Sequence, residues 1–155
     1  LVGVRLEVPS NQPIVLLREQ SGTRFLPIFI GSPEATAIVY ALQGTETPRP
    51  MTHDLFKAVL DDQGVRLERV EITELREGTF YAELTLARGG ERSVISARPS
   101  DAIALAARYG DAVPLFAAES VLEEAGVEFE AEEEEQEVAQ FREFLDTINP
   151  EDFGA

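Results

Sequence analysis

Apolar and polar residues alternate from Val2 to Val8, the period-2 pattern of a half-buried strand. Asn11-Gln12-Pro13 supplies a turn, and Ile14–Arg18 reads as the next strand. Ser21-Gly22 turns the chain again before Arg24–Ile30. Three strands with such short connections predict an antiparallel meander. The period then changes. Ser32-Pro33-Glu34 offers a capping hydroxyl, a proline at the first helical position and an acid in the first turn. Ala35, Ile38, Val39 and Leu42 follow at helical spacing until Gly44. Thr52 is placed to cap a second helix through Gln63, with Leu55, Phe56, Val59 and Leu60 as its apolar stripe.

Strands return at Val65–Leu75 and Thr79–Leu86 around Glu77-Gly78, a hairpin signal, and Gly89-Gly90 turns the chain into Arg92–Ala97. A third helix, from about Ser100 to Tyr109, is apolar nearly all round, which predicts burial. Val113–Phe116 reads as a short strand and Ser120–Ala125 as a short helix stopped by Gly126. After an acidic run, Val138, Phe141, Leu145 and Ile148 recur at helical intervals up to Asn149-Pro150. This terminal stripe must bury against the body or against another subunit, because an isolated helix of this length is marginal. The fold class is therefore α+β: antiparallel strand clusters with intervening helices and a C-terminal amphipathic helix. Residues 1–126 form the expected domain, and residues 127–155 an acidic linker and helix. Phe25, Phe29, Phe56, Phe80 and Phe116 all fall in apolar patterns and are expected in the core.

A chain of 155 residues is the size of one domain. The absence of cysteine excludes disulfides, thiolate zinc sites and cysteine nucleophiles, and a single histidine leaves only carboxylate-rich metal sites. No apolar run reaches membrane-span length and no signal-peptide pattern opens the chain, so no membrane partner and a cytoplasmic location are expected. The formal net charge of −16 divides unevenly. Residues 119–155 hold 14 acids and 1 base, a net of −13, whereas residues 1–118 hold 15 acids and 12 bases, a net of −3. An acidic tail weighs against nucleic-acid binding driven by charge over the whole surface, but the body is nearly balanced.

Two segments of that body echo each other. Arg49-Pro50-Met51-Thr52-His53-Asp54-Leu55 and Arg98-Pro99-Ser100-Asp101-Ala102-Ile103 share Arg-Pro, a hydroxyl, an aspartate and an aliphatic residue, each at a predicted helix start. Capping by Thr52 and Ser100, and the helix dipole acting on Asp54 and Asp101, account for the hydroxyls and acids with no function at all. They do not account for the arginines or His53. A helix N-terminus presents unpaired N–H groups to an anion, and an adjacent arginine adds bidentate contacts to phosphate. Two such ends together would make a phosphate cleft in which His53 moves a proton. Asp54, Asp101 and Glu34 are the carboxylates available for a divalent cation.

Four ordered strings carry a resemblance. They are Pro27-Ile28-Phe29-Ile30-Gly31 with Glu34-Ala35, the segment Arg49–Leu55, Glu77-Gly78-Thr79-Phe80-Tyr81-Ala82, and Ala97-Arg98-Pro99-Ser100-Asp101-Ala102-Ile103-Ala104-Leu105-Ala106. Together they resemble the bifunctional nuclease domain family over about Val2 to Glu124, and the acidic extension looks like that of actinobacterial members. The resemblance implies an α+β fold, self-association and nuclease activity, plant members being described as cleaving both RNA and DNA. Ser96 stands where many members are expected to carry aspartate. If that aspartate is a metal ligand, one is lost here; if it caps or pairs with the arginine, serine can substitute.

The leading expectation is a nuclease acting on RNA and/or DNA. His53, Asp54 and Asp101 are its catalytic residues, and Arg49, Thr52, Arg98 and Ser100 hold substrate. Asp54, Asp101 and Glu34 would bind Mg²⁺ or Mn²⁺. The alternative is a non-catalytic, homo-oligomeric binding or regulatory module. A third reading has the acidic tail competing with nucleic acid for the arginines.

Overall fold

The computed structural model describes residues 1–153. Among them the chain is α+β, with two four-stranded sheets and five α-helices. It forms two compact units, one of residues 1–45 with 122–155 and one of residues 46–121.

In the first unit the meander forms as its alternation predicts. Strands β1 (Gly3–Glu7), β2 (Gln12–Arg18) and β3 (Arg24–Phe29) pair antiparallel, with Val4 opposite Val15 and Val15 opposite Ile28. Asn11 takes a left-handed conformation in the first turn, which its short polar side chain tolerates. Helix α1 (Ser32–Gln43) buries Ala35, Ile38 and Val39 and closes on a left-handed Gly44. The cap position is Gly31 rather than Ser32, which is already helical.

The acidic linker is more ordered than its composition suggests. Its start pairs with β3 as a two-residue strand, β8 (Val127–Glu128), with Arg24 opposite Glu128. Helix α5 (Ala131–Thr147) begins inside the acidic run, well before its apolar stripe. Glu132, Glu133 and Glu134 occupy its first turn, where the helix dipole favours negative charge. Glu134 pairs with Arg18, and Glu137 lies 3.2 Å from Arg5. Phe141 is buried against Ile14, Leu16 and Phe25, so the stripe packs on this unit's own sheet.

The second unit opens with helix α2 (Thr52–Asp62), followed by β4 (Arg66–Arg76), β5 (Thr79–Arg88) and β6 (Glu91–Ala97). Glu77 and Gly78, and likewise Gly89 and Gly90, have positive φ, the mirror-image turns that match strand twist. Helix α3 (Pro99–Ala107) lies against β4 and β5 with Ile103 and Leu105 buried. Strand β7 (Leu115–Ala117) joins β4 in parallel, giving the order β6-β5-β4-β7. That pairing was not expected from antiparallel clusters, since it joins segments far apart in sequence. Helix α4 (Glu119–Ala125) follows as predicted.

Several expected core residues are exposed. In α2 only Leu60 of the four stripe residues is buried; Leu55, Phe56 and Val59 face out. Phe29 and Phe116 are also exposed, the latter beneath the Arg69 guanidinium at 4.1 Å, whereas Phe25 is in the core. Spacing shows which residues share a face but not what covers it.

Candidate functional site

The two echoing helix starts come together within the second unit. Thr52 and Ser100 do not cap them: Met51 and Arg98 hold the cap positions, and no side chain caps α3. Thr52 is exposed in the first turn of α2, and Ser100 is buried in the first turn of α3. His53 and Asp101 meet across the two helices, with Nε2 3.0 Å from Oδ1. Arg98 grips the same carboxylate through Nε to Oδ2 at 2.8 Å and Nη2 to Oδ1 at 3.2 Å. The His53 ring is 15% exposed and the Arg98 side chain 63%, so the pair is sheltered while the guanidinium reaches solvent.

Asp54 faces a different cation. Its Oδ1 accepts from Arg108 Nε at 2.6 Å and its Oδ2 from the Met51 N–H at 2.9 Å. Arg108 is only 6% exposed and also donates to the Ala104 carbonyl at 2.7 Å, tying the end of α3 to the start of α2. Arg108 has little local signature beyond that of a cation ending an apolar helix, a pattern that complements any helix dipole. Its consequence is positional: the Asp54–Arg108 pair sets α2 against α3 one residue from His53.

Both aspartates are held below their ordinary pKa. For Asp54, burial pushes the carboxyl up, but hydrogen bonds from Arg108 and the Met51 N–H, with the Arg108 charge, outweigh it. For Asp101, burial again opposes, and the Arg98 and His53 hydrogen bonds prevail. A lowered folded-state pKa contributes stability above the unfolded value of about 3.9, lost as pH falls through the lower folded value. Asp54→Asn should therefore destabilise the chain in urea unfolding at neutral pH, and its deficit should shrink as pH drops below about 4. A deficit that is the same at both pH values would contradict the ionised pair.

The remaining expected residues lie as follows. Arg49 is exposed in the loop before α2; its carbonyl accepts from Thr47 Oγ1 at 2.6 Å, and its side chain has no partner among the described residues. Ser96 is exposed on β6, opposite Glu83. Glu34 belongs to the first unit, in the first turn of α1 with its carboxylate over Gly31. Among the described residues no group of three or more His, Asp or Glu side chains is placed to hold a metal ion. No helix among them is long and apolar enough to cross a membrane.

The pattern of the bifunctional nuclease domain matches residues 15–130, which include every site residue just described. The chain belongs to the bifunctional nuclease domain family. It is 48% identical over 163 residues to an uncharacterized protein of Mycobacterium tuberculosis, covering all of this chain and 96% of that one. "Bifunctional nuclease 1" of Oryza sativa is 34% identical over 101 residues, 63% of this chain and 30% of that protein. "Bifunctional nuclease 2" of Arabidopsis thaliana is 30% identical over 107 residues, 65% and 32% of the two chains. The chain thus aligns over its full length with the mycobacterial relative and over about two thirds of its length with the plant proteins.

Proposed function

We propose that this domain hydrolyses phosphodiester bonds in RNA and/or DNA at the His53–Asp101–Arg98 array. The observation that carries the reading is the single histidine held by a carboxylate that is itself held by an exposed arginine. With Nε2–H donating to Asp101, the lone pair of His53 is on Nδ1 and can take a proton from water. The water oxygen then bonds to phosphorus, the P–O bond to the leaving sugar breaks, and the proton passes on to that oxygen. Arg98 and Arg49 hold the non-bridging oxygens, assisted by Thr52 and by the first turn of α3 that carries Ser100. The names of the plant relatives support the same reaction class.

Asp101 is engaged by His53 and Arg98 and Asp54 by Arg108, so the residues present do not make a protein-only metal cage. Mg²⁺ or Mn²⁺ enters the proposal as an ion carried with substrate phosphates, the usual mode for Mg²⁺, and no step here passes through it. The test is cleavage of labelled single-stranded RNA, single-stranded DNA and duplex DNA by the full chain, with Mg²⁺, Mn²⁺ or a chelator. Cleavage of at least one substrate is expected; no cleavage under any condition removes the reading.

One observation favours a second reading, a homo-oligomeric binding module. Met51, Leu55, Phe56 and Val59 form an exposed apolar strip along α2, beside His53 in sequence. Contiguous exposed apolar surface marks an interaction site. If a second copy covers it, Leu55→Ser with Val59→Ser should lower the mass measured by light scattering to that of one chain. A wild type already at one chain's mass dismisses the second copy.

A further inference from the structure

The second unit carries 9 of the chain's 13 Lys and Arg residues against 13 acids, a net of −4 within a chain of −16. Three of those arginines converge on a recess of about 230 Å³ where β4 begins, β5 ends and β6 begins. Arg66, Arg88 and Arg92 line it, with Glu68 as its one lining acid. We infer that this recess is a second backbone-phosphate site, which holds single-stranded nucleic acid about six nucleotides along the strand from His53. The inference rests on the nuclease reading for its ligand and on the recess for its location.

Glu68 shows that the recess stabilises an oxyanion. Its Oε2 accepts from Arg92 Nε at 2.6 Å and its Oε1 from Arg66 Nη2 at 2.7 Å. Those two hydrogen bonds, Arg92 first, lower its pKa to about 2. Two guanidinium groups thus already bracket one carboxylate, the geometry in which arginines take a phosphate. Arg88 adds a third guanidinium with no partner among the described residues, leaving the lining at a net of +2. Gly64, Gly89 and Gly90 form part of the wall in left-handed conformations, with nothing within 4 Å of where a Cβ would stand. A polymer backbone can therefore approach the turns closely.

Two elements measure the distance to the catalytic array. From Arg92 to Arg98 the chain runs six residues along β6, about 20 Å at strand rise. From His53 to Gly64 it runs eleven residues along α2, about 16 Å at helical rise. At about 3.4 Å per stacked nucleotide, that span is five to six nucleotides. A strand engaged at both ends would therefore need about that length, and shorter strands would use the catalytic end alone.

The test is fluorescence anisotropy of the full chain with 3-nucleotide and 12-nucleotide single strands of RNA and DNA, each strand checked by gel to be intact after the titration. Wild type should bind the longer strand more tightly. Arg88→Ala with Arg92→Ala should weaken binding of the 12-mer by about tenfold or more, and leave the 3-mer unchanged. The slope of log affinity against log salt for the 12-mer should fall by about 1 to 2. Arg88→Gln alone, which touches no described ion pair, should give a smaller effect in the same direction without disturbing the fold. Equal loss for both lengths, no loss for either, or no binding by wild type overturns the site. A chain that binds by length but cleaves nothing refutes the nuclease reading and leaves the recess standing. Cleavage with length-independent binding does the reverse.

Discussion

Replacing His53 by alanine is expected to lower phosphodiester cleavage by about 10²- to 10⁴-fold, the usual worth of a positioned general acid or base. The stability of the chain should barely change by comparison, because α2 is held to α3 by the separate Asp54–Arg108 pair. His53 is the only histidine, so no neighbouring imidazole can substitute. Added imidazole should restore part of the lost rate, an outcome a purely structural role would not give. Asp101→Asn probes the positioning of that ring. Asparagine keeps the shape but not the charge facing His53 and Arg98, so kcat should fall while KM changes little. Arg98→Ala should instead raise KM, as expected for a group that holds phosphate. Full cleavage by His53→Ala, on identically purified protein, would end the proton-transfer assignment.

The elements that could be read from the chain are those fixed by neighbours in sequence. The Glu77-Gly78 and Gly89-Gly90 turns follow from residues that accept positive φ, and the β1–β3 meander from alternation between short turns. Helix starts were legible to within two residues: Ser32 and Thr52 are the first residues, and Ser100 the second, of the helices they were expected to cap. What escaped depends on contacts distant in sequence. The parallel β4–β7 pairing joins Val70 to Leu115, and β8 emerges from the acidic linker only because β3 offers an edge. The exposed Phe56 and Val59 have the spacing of a core stripe but no cover. The site divides in the same way. The echo of Arg-Pro, hydroxyl and aspartate identified both helix starts, and His53 stood out by being alone. Arg108, 54 residues from the Asp54 it holds, had no local signature.

Phe141→Ala should produce the largest loss of stability of any single substitution in α5, about 3–5 kcal/mol. Its ring is fully buried against Ile14, Leu16 and Phe25, with Val2, Phe129 and Val138 packed around that cluster and the Arg5 guanidinium 4.8 Å from the ring centroid. The helix cannot lose this anchor and persist. Its N-terminal half is dense in glutamate, whose mutual repulsion is offset by Arg5 and Arg18 only while the helix lies on β1 and β2. An exposed ion pair contributes at most about 1 kcal/mol, so those two pairs cannot replace the aromatic burial. A chain of this length should melt about 10 °C lower, with a drop in helical circular dichroism on the low-temperature side of the transition. Val138→Ala, at the edge of the same cluster, should show a fraction of that effect. Gly3 offers an independent check on the packing: a Cβ there would lie 3.1 Å from Leu145 Cδ1 and 3.4 Å from Phe141 Cβ. Gly3→Val should therefore lift the helix and destabilise the chain in the same sense, whereas an alanine scan of solvent-facing Glu132 and Glu135 should not. If Phe141→Ala melted with wild type but changed the mass in solution, the stripe would belong to a neighbouring subunit; the burial of Phe141 within its own unit argues for the fold itself.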